Sequence, residues 1–311
     1  MRAVLRDKKL EETFQKDGYV TIPFLSSGEV EKLKQAFFDT LPESQGIITP
    51  ADENFDTKQL ITYDFTFIDK NIDYKRTVFK IITEAFQRHY DNYLLDYKPI
   101  IANYIRKKEN DGEVPLHQNW AFVDEKKCSS VSIWCPLVDS TVENGTLQVV
   151  PGSHKRYGAV RGPMIKSELE EIKQEIIANH LIPLPTKAGD AVILDDSIVH
   201  YSAINKTGGL RLAIQLILIP EEEPSIHYHM DHSKSSTRVE VLEVDREFYM
   251  NFNPWKKPQG KFKKINEFDY AIFDLKHQDF ADQLYGKRID DIKLRKNLLS
   301  RILEKWHIAE K

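Results

Sequence analysis

Two histidines stand in sequence contexts that suit a bound metal ion. His117 and Asn119 are separated by one residue in the run 115–120, which is predicted to be a strand. Because side chains alternate along a strand, both are expected on one face, where they can contact the same ion. His200 lies much further along the chain, in a strand predicted to follow the turn Ala188-Gly189-Asp190 and the strand 191–194. These residues are candidates for one shared metal site, although a histidine in a strand is by itself more often a hydrogen-bonded polar residue than a metal ligand.

A basic residue follows the second histidine at short range. Arg211 comes eleven residues after His200, beyond a Gly208-Gly209 turn, and begins a strongly apolar predicted strand. If the strands on either side of the turn pair as a hairpin, Arg211 returns close to His200. The sequence therefore predicts a fixed positive charge near His200.

Short β-rich runs bounded by Gly, Pro, Asn and Asp would position these residues. Their close spacing predicts a sandwich or small barrel rather than a parallel α/β sheet. Helices are expected to flank them, one of which opens with a capping box at Ser26 and Glu29. The predicted strands are 19–24, 100–106, 116–123, 129–137, 146–150, 191–194, 198–204 and 210–219, and the predicted helices include 8–15, 74–95, 166–178 and 289–306.

Composition excludes several classes of protein. The chain has 311 residues, with 44 Lys and Arg against 48 Asp and Glu and a formal net charge of −4, which is not typical of a dedicated nucleic-acid binder. Cys128 and Cys135 are too few for a disulfide framework or a thiolate zinc site, and we expect both to be buried small side chains. No apolar run approaches the roughly 20 residues of a membrane helix, and the first residues do not read as a targeting peptide. We expect a cytoplasmic protein without membrane or nucleic-acid partners; its oligomeric state is left open.

The order of the candidate residues resembles that of the phytanoyl-CoA dioxygenase family of Fe(II)/2-oxoglutarate oxygenases. The similarity extends over about residues 14 to 220 and is specific because four separate pieces occur in the expected order. The pieces are Phe14-Gln15-Lys16-Asp17-Gly18-Tyr19-Val20-Thr21-Ile22-Pro23, then His117-Gln118-Asn119, then Asn144-Gly145-Thr146-Leu147-Gln148-Val149-Val150-Pro151-Gly152-Ser153-His154, and finally His200 with Arg211.

The resemblance implies a mainly β fold with flanking helices, built on a double-stranded β-helix, the jelly roll of cupin-like proteins. It also implies iron held by two histidines and a third protein ligand, with 2-oxoglutarate and O2 as cosubstrates. The reaction implied is hydroxylation of an unactivated C–H bond of a small molecule, with succinate and CO2 as coproducts. The residues that match the family's positions are His117, Asn119 and His200 for the metal, Arg211 for the distal carboxylate of 2-oxoglutarate, and Gln118 and Trp134 beside the cosubstrate.

Asn119 departs from the family, which has an aspartate at this position. A neutral amide is a poorer ligand for Fe(II) than a carboxylate, because hard cations favour anionic oxygen. Three outcomes follow: Asn119 ligates iron through its oxygen in a working hydroxylase, an exogenous anion replaces the missing charge as in halogenases, or the fold is a ligand-binding protein with impaired catalysis. A two-histidine cupin acting as an isomerase or lyase is a further alternative, but it leaves Arg211 without a purpose.

We interpret the chain as a single domain over residues 1–311. Residues 1–97 form an N-terminal helical and strand region, 98–220 the jelly-roll core with the metal and 2-oxoglutarate site, and 221–311 a C-terminal extension that ends in a helix. A second histidine-rich tract, His227-Tyr228-His229-Met230-Asp231-His232, lies in a weakly patterned polar region. We expect it to be an exposed loop near the mouth of the site rather than a second metal site.

Overall fold

Antiparallel strands dominate the computed structural model, which describes residues 2–48, 63–232, 235, 237–271 and 273–286. The strands are β1 (Tyr19–Pro23), β2 (Asp64–Phe65), β3 (Tyr97–Lys107), β4 (Val114–His117), β5 (Val131–Pro136), β6 (Gln148–Val149), β7 (Ile182–Pro183), β8 (Asp190–Asp195), β9 (His200–Ser202), β10 (Arg211–Pro220), β11 (Ser225–Met230), β12 (Arg238–Val244) and β13 (Phe262–Asp269). The helices are α1 (Lys8–Asp17), α2 (Ser27–Thr40), α3 (Ile72–Tyr93), α4 (Lys173–Asn179), α5 (Arg246–Met250) and α6 (His277–Tyr285), with short 3₁₀ turns at Leu41–Glu43, Thr66–Ile68 and Glu170–Ile172.

Two of the sheets make up the core. A six-stranded sheet runs in the order β1-β8-β5-β10-β3-β2, and a four-stranded sheet runs β4-β9-β6-β7. Every pairing within them is antiparallel, and side chains of both sheets line one shared cavity. This is the jelly-roll arrangement, so the predicted fold class is confirmed.

The six-stranded sheet has two apolar faces because its side chains alternate along each strand. On β5, Ile133 and Cys135 belong to the cluster that packs against the helices, whereas Trp134 between them belongs to a cluster shared with the four-stranded sheet. A strand that is buried on both faces reads as a continuous apolar run rather than an alternating one. Both cysteines of the chain are buried and free, as predicted.

Helices α2 and α3 cover one face of the six-stranded sheet, and we call them the helical layer. The predicted capping box at the start of α2 is present, with Ser26 as the N-cap and Glu29 as its reciprocal partner. Phe86 of α3 is fully buried and meets Phe24 edge to face, with ring centroids 5.0 Å apart. Fixing the helical layer in this way leaves the opposite face of the sheet free to form a site.

Three elements near the site differ from their sequence predictions. The strand predicted at 116–123 ends at His117, because the next residues bond elsewhere: the Asn119 carbonyl accepts from Arg161 Nε at 2.7 Å. Residues 198–204 contribute only the three-residue strand β9. The helix predicted at 166–178 begins later, as a 3₁₀ turn followed by α4.

The region after residue 220 is more ordered than its polar sequence indicates. Strands β11, β12 and β13 form a three-stranded antiparallel sheet. The tract 227–230 lies on β11, where His227 is 2% exposed, so the prediction of an exposed loop is wrong for this part. His227 packs edge to face against Trp120 and Phe252, and such burial cannot be read from a segment whose own residues are polar. The helix predicted at 289–306 lies outside the described residues.

None of the helices in the described ranges is long and apolar enough to cross a bilayer.

Candidate metal and cosubstrate site

The two candidate histidines face each other across neighbouring strands. His117 ends β4 and His200 begins β9, and the two residues are directly paired in the antiparallel register. Their ring centroids are 4.1 Å apart. The separation of 83 positions in the sequence is therefore closed by strand pairing, and one ion can contact both rings.

Backbone carbonyls fix how each ring is protonated. His117 Nδ1 lies 2.8 Å from the carbonyl oxygen of Pro115, and His200 Nδ1 lies 2.9 Å from that of Ile198. A carbonyl only accepts, so Nδ1 carries the proton in both rings and Nε2 is left with its lone pair. Burial lowers the pKa of both histidines, and for His200 the neighbouring His117 lowers it further. Both rings are thus neutral near pH 7, the form that binds a metal.

Asn119 completes this cluster from an irregular segment just beyond β4. Its side chain lines the same cavity as His117 and His200, and the residue is 9% exposed. The amide nitrogen Nδ2 donates to Asp196 Oδ1 at 2.8 Å and to Ser132 Oγ at 3.1 Å. With both of its amide protons engaged, Asn119 has its oxygen Oδ1 left as a ligand atom.

Asp196 is a buried residue that the sequence analysis missed. It is fully buried, and its Oδ1 also accepts a hydrogen bond from Ser132 Oγ at 2.6 Å. Burial raises the pKa of Asp196 to about 7, although hydrogen bonds from Ser132 and Asn119 oppose the rise. The signal was the acidic pair Asp195-Asp196 at the end of an apolar strand, where a carboxylate needs a partner to be buried.

Arg211 reaches the same cavity from the other sheet. The hairpin expected between β9 and β10 does not form, because β10 pairs with β3 and β5 while β9 pairs with β4 and β6. Arg211 still comes close to β9: its Nη2 donates to Ser202 Oγ at 3.3 Å. Its guanidinium lies 5.7 Å from the centroid of the Trp134 ring. Arg211 is therefore close to the strand of His200, as predicted, but the predicted hairpin is not what brings it there.

The guanidinium of Arg211 is buried without enough acceptors. The residue is 2% exposed, and its Nε and Nη1 have no hydrogen-bond partner among the described residues. Burial lowers the pKa of Arg211 to about 9, which still leaves it charged near neutral pH. A buried cation with unused donors is costly unless an anion joins it. The two unused nitrogens give this position the chemistry to accept an anion such as a carboxylate.

Lys107 is a second buried base beside Arg211, and the sequence analysis also missed it. It is fully buried, pairs with Arg211 across β3 and β10, and donates through Nζ to Ser202 O, Ser202 Oγ and Ala203 O. Burial, together with the nearby positive charge of Arg211, lowers the pKa of Lys107 to about 6. Because its donors are taken by β9 and the following residue, Lys107 supports Ser202 rather than an anion.

Gln118 and Trp134 both line the cavity with the histidines, Asn119 and Arg211. The amide nitrogen of Gln118 donates to the carbonyls of Tyr157 and Ser197, at 3.0 and 2.7 Å. Gln118 therefore ties the loop around Tyr157 to the segment before His200. Of the two residues, Trp134 is the one in contact distance of the Arg211 guanidinium.

The cavity has a volume of about 290 Å³ and two chemically different ends. One end holds the histidines, Asn119 and Arg211. The other is aromatic and aliphatic, and among the described lining residues Arg211 is the only one with a formal charge once the histidines are neutral. The apolar end is lined by Tyr63, Phe65, Phe67, Ile101, Trp120, Phe122, Ile217, Pro254 and Trp255.

The donor set fits one divalent cation. No group of three His, Cys, Asp or Glu side chains that could hold a metal occurs within the described residues, so any third side-chain donor beside His117 and His200 has to be of another type, and the amide of Asn119 lines the same cavity. Two neutral imidazoles and an amide oxygen are acceptable ligands for a borderline cation such as Fe(II). His227 and His229 of the second tract do not form such a group, and burial lowers the pKa of His227 to about 3.

Comparison with known proteins identifies the family. The sequence model for phytanoyl-CoA dioxygenase (PhyH) matches residues 14–213. The chain belongs to the phytanoyl-CoA dioxygenase family. A protein from Dictyostelium discoideum named phytanoyl-CoA dioxygenase domain-containing protein 1 homolog is 27% identical over 231 residues, which is 70% of this chain and 78% of that protein. Phytanoyl-CoA dioxygenase 1 of Oryza sativa subsp. japonica is 31% identical over 128 residues, 40% of this chain and 45% of its own length.

Solved structures agree on the fold. The carbocyclase SnoK from nogalamycin biosynthesis, a non-haem α-ketoglutarate-dependent enzyme, superposes with a TM-score of 0.51 at 18% identity, covering 70% of this chain and 86% of SnoK. The epimerase SnoN from the same biosynthesis also gives 0.51, at 19% identity, covering 71% of this chain and 84% of SnoN. PhyH family membership together with this fold supports a non-haem iron, 2-oxoglutarate-dependent kind of oxygenase.

Proposed function

We propose that this PhyH protein is an Fe(II)/2-oxoglutarate-dependent oxygenase that hydroxylates a C–H bond of a small molecule. One observation carries the proposal: two neutral imidazoles with free Nε2 lone pairs share a cavity with a buried arginine whose donors lack acceptors. The reaction balances as R–H, O2 and 2-oxoglutarate giving R–OH, succinate and CO2. Iron, when bound, supplies the activation of O2 that couples the oxidation of 2-oxoglutarate to that of the substrate.

The metal would be held by His117 and His200 through Nε2 and by Asn119 through Oδ1. The carbonyls of Pro115 and Ile198 keep Nδ1 protonated and so aim Nε2 into the cavity. Since the Asn119 amide already occupies its position, held by Asp196 and Ser132, little room is left there for a halide. This packing favours hydroxylation over halogenation.

Arg211 would bind the distal carboxylate of 2-oxoglutarate. Its unpaired Nε and Nη1 offer donors to two carboxylate oxygens, and Ser202 lies beside Nη2. The Trp134 ring lies within cation–π distance of the guanidinium. Both charges of this ion pair are enclosed, which strengthens their attraction.

The opposite end of the cavity supports an uncharged, largely apolar substrate. Its aromatic and aliphatic walls have no charged group to pair with a phosphate, carboxylate or ammonium among the described residues. The amide groups nearby are already engaged with each other: Asn103 Nδ2 donates to Gln215 Oε1 at 3.3 Å, and Gln215 Nε2 donates to Ser132 Oγ at 3.4 Å. Trp255 is different, because its buried indole N–H has no partner in the described part of the chain. A hydroxyl or carbonyl oxygen on the substrate would accept from it.

A second candidate function is a ligand-binding protein with impaired catalysis, and Asn119 is the observation in its favour. The two candidates differ in turnover. We expect the purified protein with Fe(II) and ascorbate to convert 2-oxoglutarate to succinate, even without substrate, and to show a visible metal-to-cosubstrate absorption band under anaerobic conditions. Neither signal in the wild type, with both appearing in Asn119→Asp, would establish the binding protein instead.

The substrate class is tested with matched probes. We expect 2-naphthol to bind the Co(II) and 2-oxoglutarate-loaded protein, detected by quenching of tryptophan fluorescence. 2-Naphthoate and 2-naphthyl phosphate should bind at least about tenfold more weakly, because no cation remains to receive their charge. Trp255→Phe keeps the ring but removes the donor, and it should weaken 2-naphthol binding without affecting 2-oxoglutarate. Tighter binding of either anion than of 2-naphthol would contradict the proposed class.

A further inference from the structure

A buried carboxylate stands directly behind the amide at the third ligand position. Asp196 Oδ1 receives the hydrogen bond from Asn119 Nδ2 at 2.8 Å and is fully buried. The cations in its neighbourhood are committed to other carboxylates, since Lys155 pairs with Asp195 and Arg161 with Glu125. The partners of Asp196 are instead neutral donors, the hydroxyl of Ser132 and the amide of Asn119.

Asp196 decides which way the Asn119 amide points. Ser132 Oγ gives its only proton to Asp196, so toward Asn119 it presents a lone pair. Both partners of Asn119 on this side are therefore acceptors, and they require the NH2 end of the amide. The reversed orientation would put Asn119 Oδ1 against Asp196 Oδ1, which is repulsive. Only the observed orientation offers an oxygen to a cation held by His117 and His200.

When ionised, Asp196 also supplies, one hydrogen bond away, the negative charge that Asn119 lacks. A hydrogen bond to a carboxylate polarises an amide and makes its carbonyl oxygen a better donor of electron density, and this effect is strong where water is excluded. Outer-shell carboxylates act on metal-bound histidines in the same manner. Asn119 thus provides the oxygen ligand and Asp196 provides the negative charge, whereas a single aspartate would provide both.

We propose that Asp196 is a positioning residue of the metal site, which turns Asn119 Oδ1 toward His117 and His200 and supplies negative charge one hydrogen bond from the cation. The inference rests on the proposed function, because it concerns how the same site binds a divalent metal. Asp196 is not a metal ligand in this proposal, but it explains why an amide can occupy the third ligand position.

Anaerobic Co(II) titration tests this without any turnover. Binding is followed by calorimetry and by the visible d–d absorption of Co(II), whose position reports the ligand geometry. We expect Asp196→Asn to weaken Co(II) binding by about 10- to 100-fold, the range found for outer-shell partners. The matched control is Asp195→Asn, which removes the adjacent buried carboxylate. Asp195 bonds Ser197 and pairs with Lys155, so its loss should leave Co(II) affinity unchanged.

A charge swap separates positioning from mere packing. In Asn119→Asp alone, two carboxylates would face each other across the former hydrogen bond, and Co(II) binding should gain little. In the double variant Asn119→Asp/Asp196→Asn, the carboxylate becomes the ligand and the amide supports it, so affinity should equal or exceed that of the wild type. A purely structural role for Asp196 predicts that the swap is no better than Asp196→Asn. Thermal melts of the metal-free proteins show whether each variant folds, and the swap provides the test if Asp196→Asn does not.

The failures of the two ideas are distinguishable. If the wild type binds Co(II) and Asp196→Asn binds it equally well, the role of Asp196 is overturned and the proposed function stands. A swap variant that folds but fails to recover affinity also overturns it. If the wild type binds neither Co(II) nor Fe(II), the proposed function falls, and the inference falls with it.

Discussion

The two faces of strand β10 bury different kinds of side chain. Leu212, Ile214 and Leu216 point to the helical layer and join a continuous apolar cluster. Arg211 and Gln215 alternate with them and point into the cavity. On the helical side the carboxylate of Glu29, at the start of α2, has several donors: it accepts from Ser26, Arg88 and His89. The cavity side instead keeps guanidinium donors without acceptors. One face holds the fold together, and the other is prepared for ligands.

The largest expected effect on stability comes from the helical layer. Phe86→Ala removes a fully buried ring in contact with Phe24 and should lower the free energy of unfolding by about 3–5 kcal/mol. Urea denaturation measures this loss. Co(II) affinity of the folded fraction should be unchanged, because the ring packs on the face away from the cavity. A large change in Co(II) affinity would show that the two faces are not independent of each other.

Arg211→Met is expected to do the reverse. Loss of one partner of an enclosed charge pair costs about 2–5 kcal/mol of binding free energy, so 2-oxoglutarate affinity should fall at least about 30-fold. The metal-free protein should be as stable as the wild type or more so, because a buried cation without acceptors has been replaced by an apolar chain of similar length. Calorimetry with 2-oxoglutarate and thermal melts measure the two quantities. A variant that is destabilised yet binds 2-oxoglutarate normally would show that Arg211 belongs to the fold and not to the site.

The capping carboxylate gives a smaller effect that depends on pH. Burial alone would raise the pKa of Glu29, but hydrogen bonds from Ser26, His89 and Arg88 hold it well below its usual range. A carboxyl whose pKa is lower in the folded state stabilises the fold above its unfolded pKa, and this stabilisation is lost as the pH falls. Glu29→Gln should therefore cost about 1–2 kcal/mol at pH 7.

The same cost should shrink as the pH falls below about 4.5, where the unfolded carboxyl becomes protonated. Chemical denaturation at a series of pH values measures it. Glu31→Gln, on the same helix but in an exposed pair with Lys34, is the matched control and should change stability by no more than about 0.5 kcal/mol. A pH-independent difference for Glu29→Gln would assign its effect to packing.

The sequence indicated which residues meet in one cavity more closely than it indicated the bounds of the elements around them. His117, His200 and Arg211 could be selected because a family pattern fixes their order, and the capping box at Ser26 and Glu29 could be found because it is local. The strand ending at His117 depends on Arg161, which lies 42 residues from Asn119 and binds its carbonyl. Such a contact between distant residues leaves no periodic signal.

Buried polar residues were the other source of error. His227 lies in a polar stretch that was predicted to be exposed, and Asp196 belongs to an acidic pair that follows an apolar strand, yet each is enclosed by segments far away in the sequence. The expected hairpin at Arg211 failed because a short loop was taken to join paired strands, whereas in a jelly roll it passes from one sheet to the other. Burial and sheet exchange are properties of the assembled core, and local composition does not encode them.

The two enclosed thiols have a practical consequence for handling a protein that is proposed to use Fe(II) and O2. Burial raises the pKa of Cys128 to about 11 and raises that of Cys135 further, so neither is a thiolate at neutral pH. Thiolates are the species that alkylating reagents and oxidants attack. The folded chain should therefore resist maleimide and need no added thiol reductant, which would itself compete for the metal. The rate at which Cys135 is labelled then measures how often the six-stranded sheet opens.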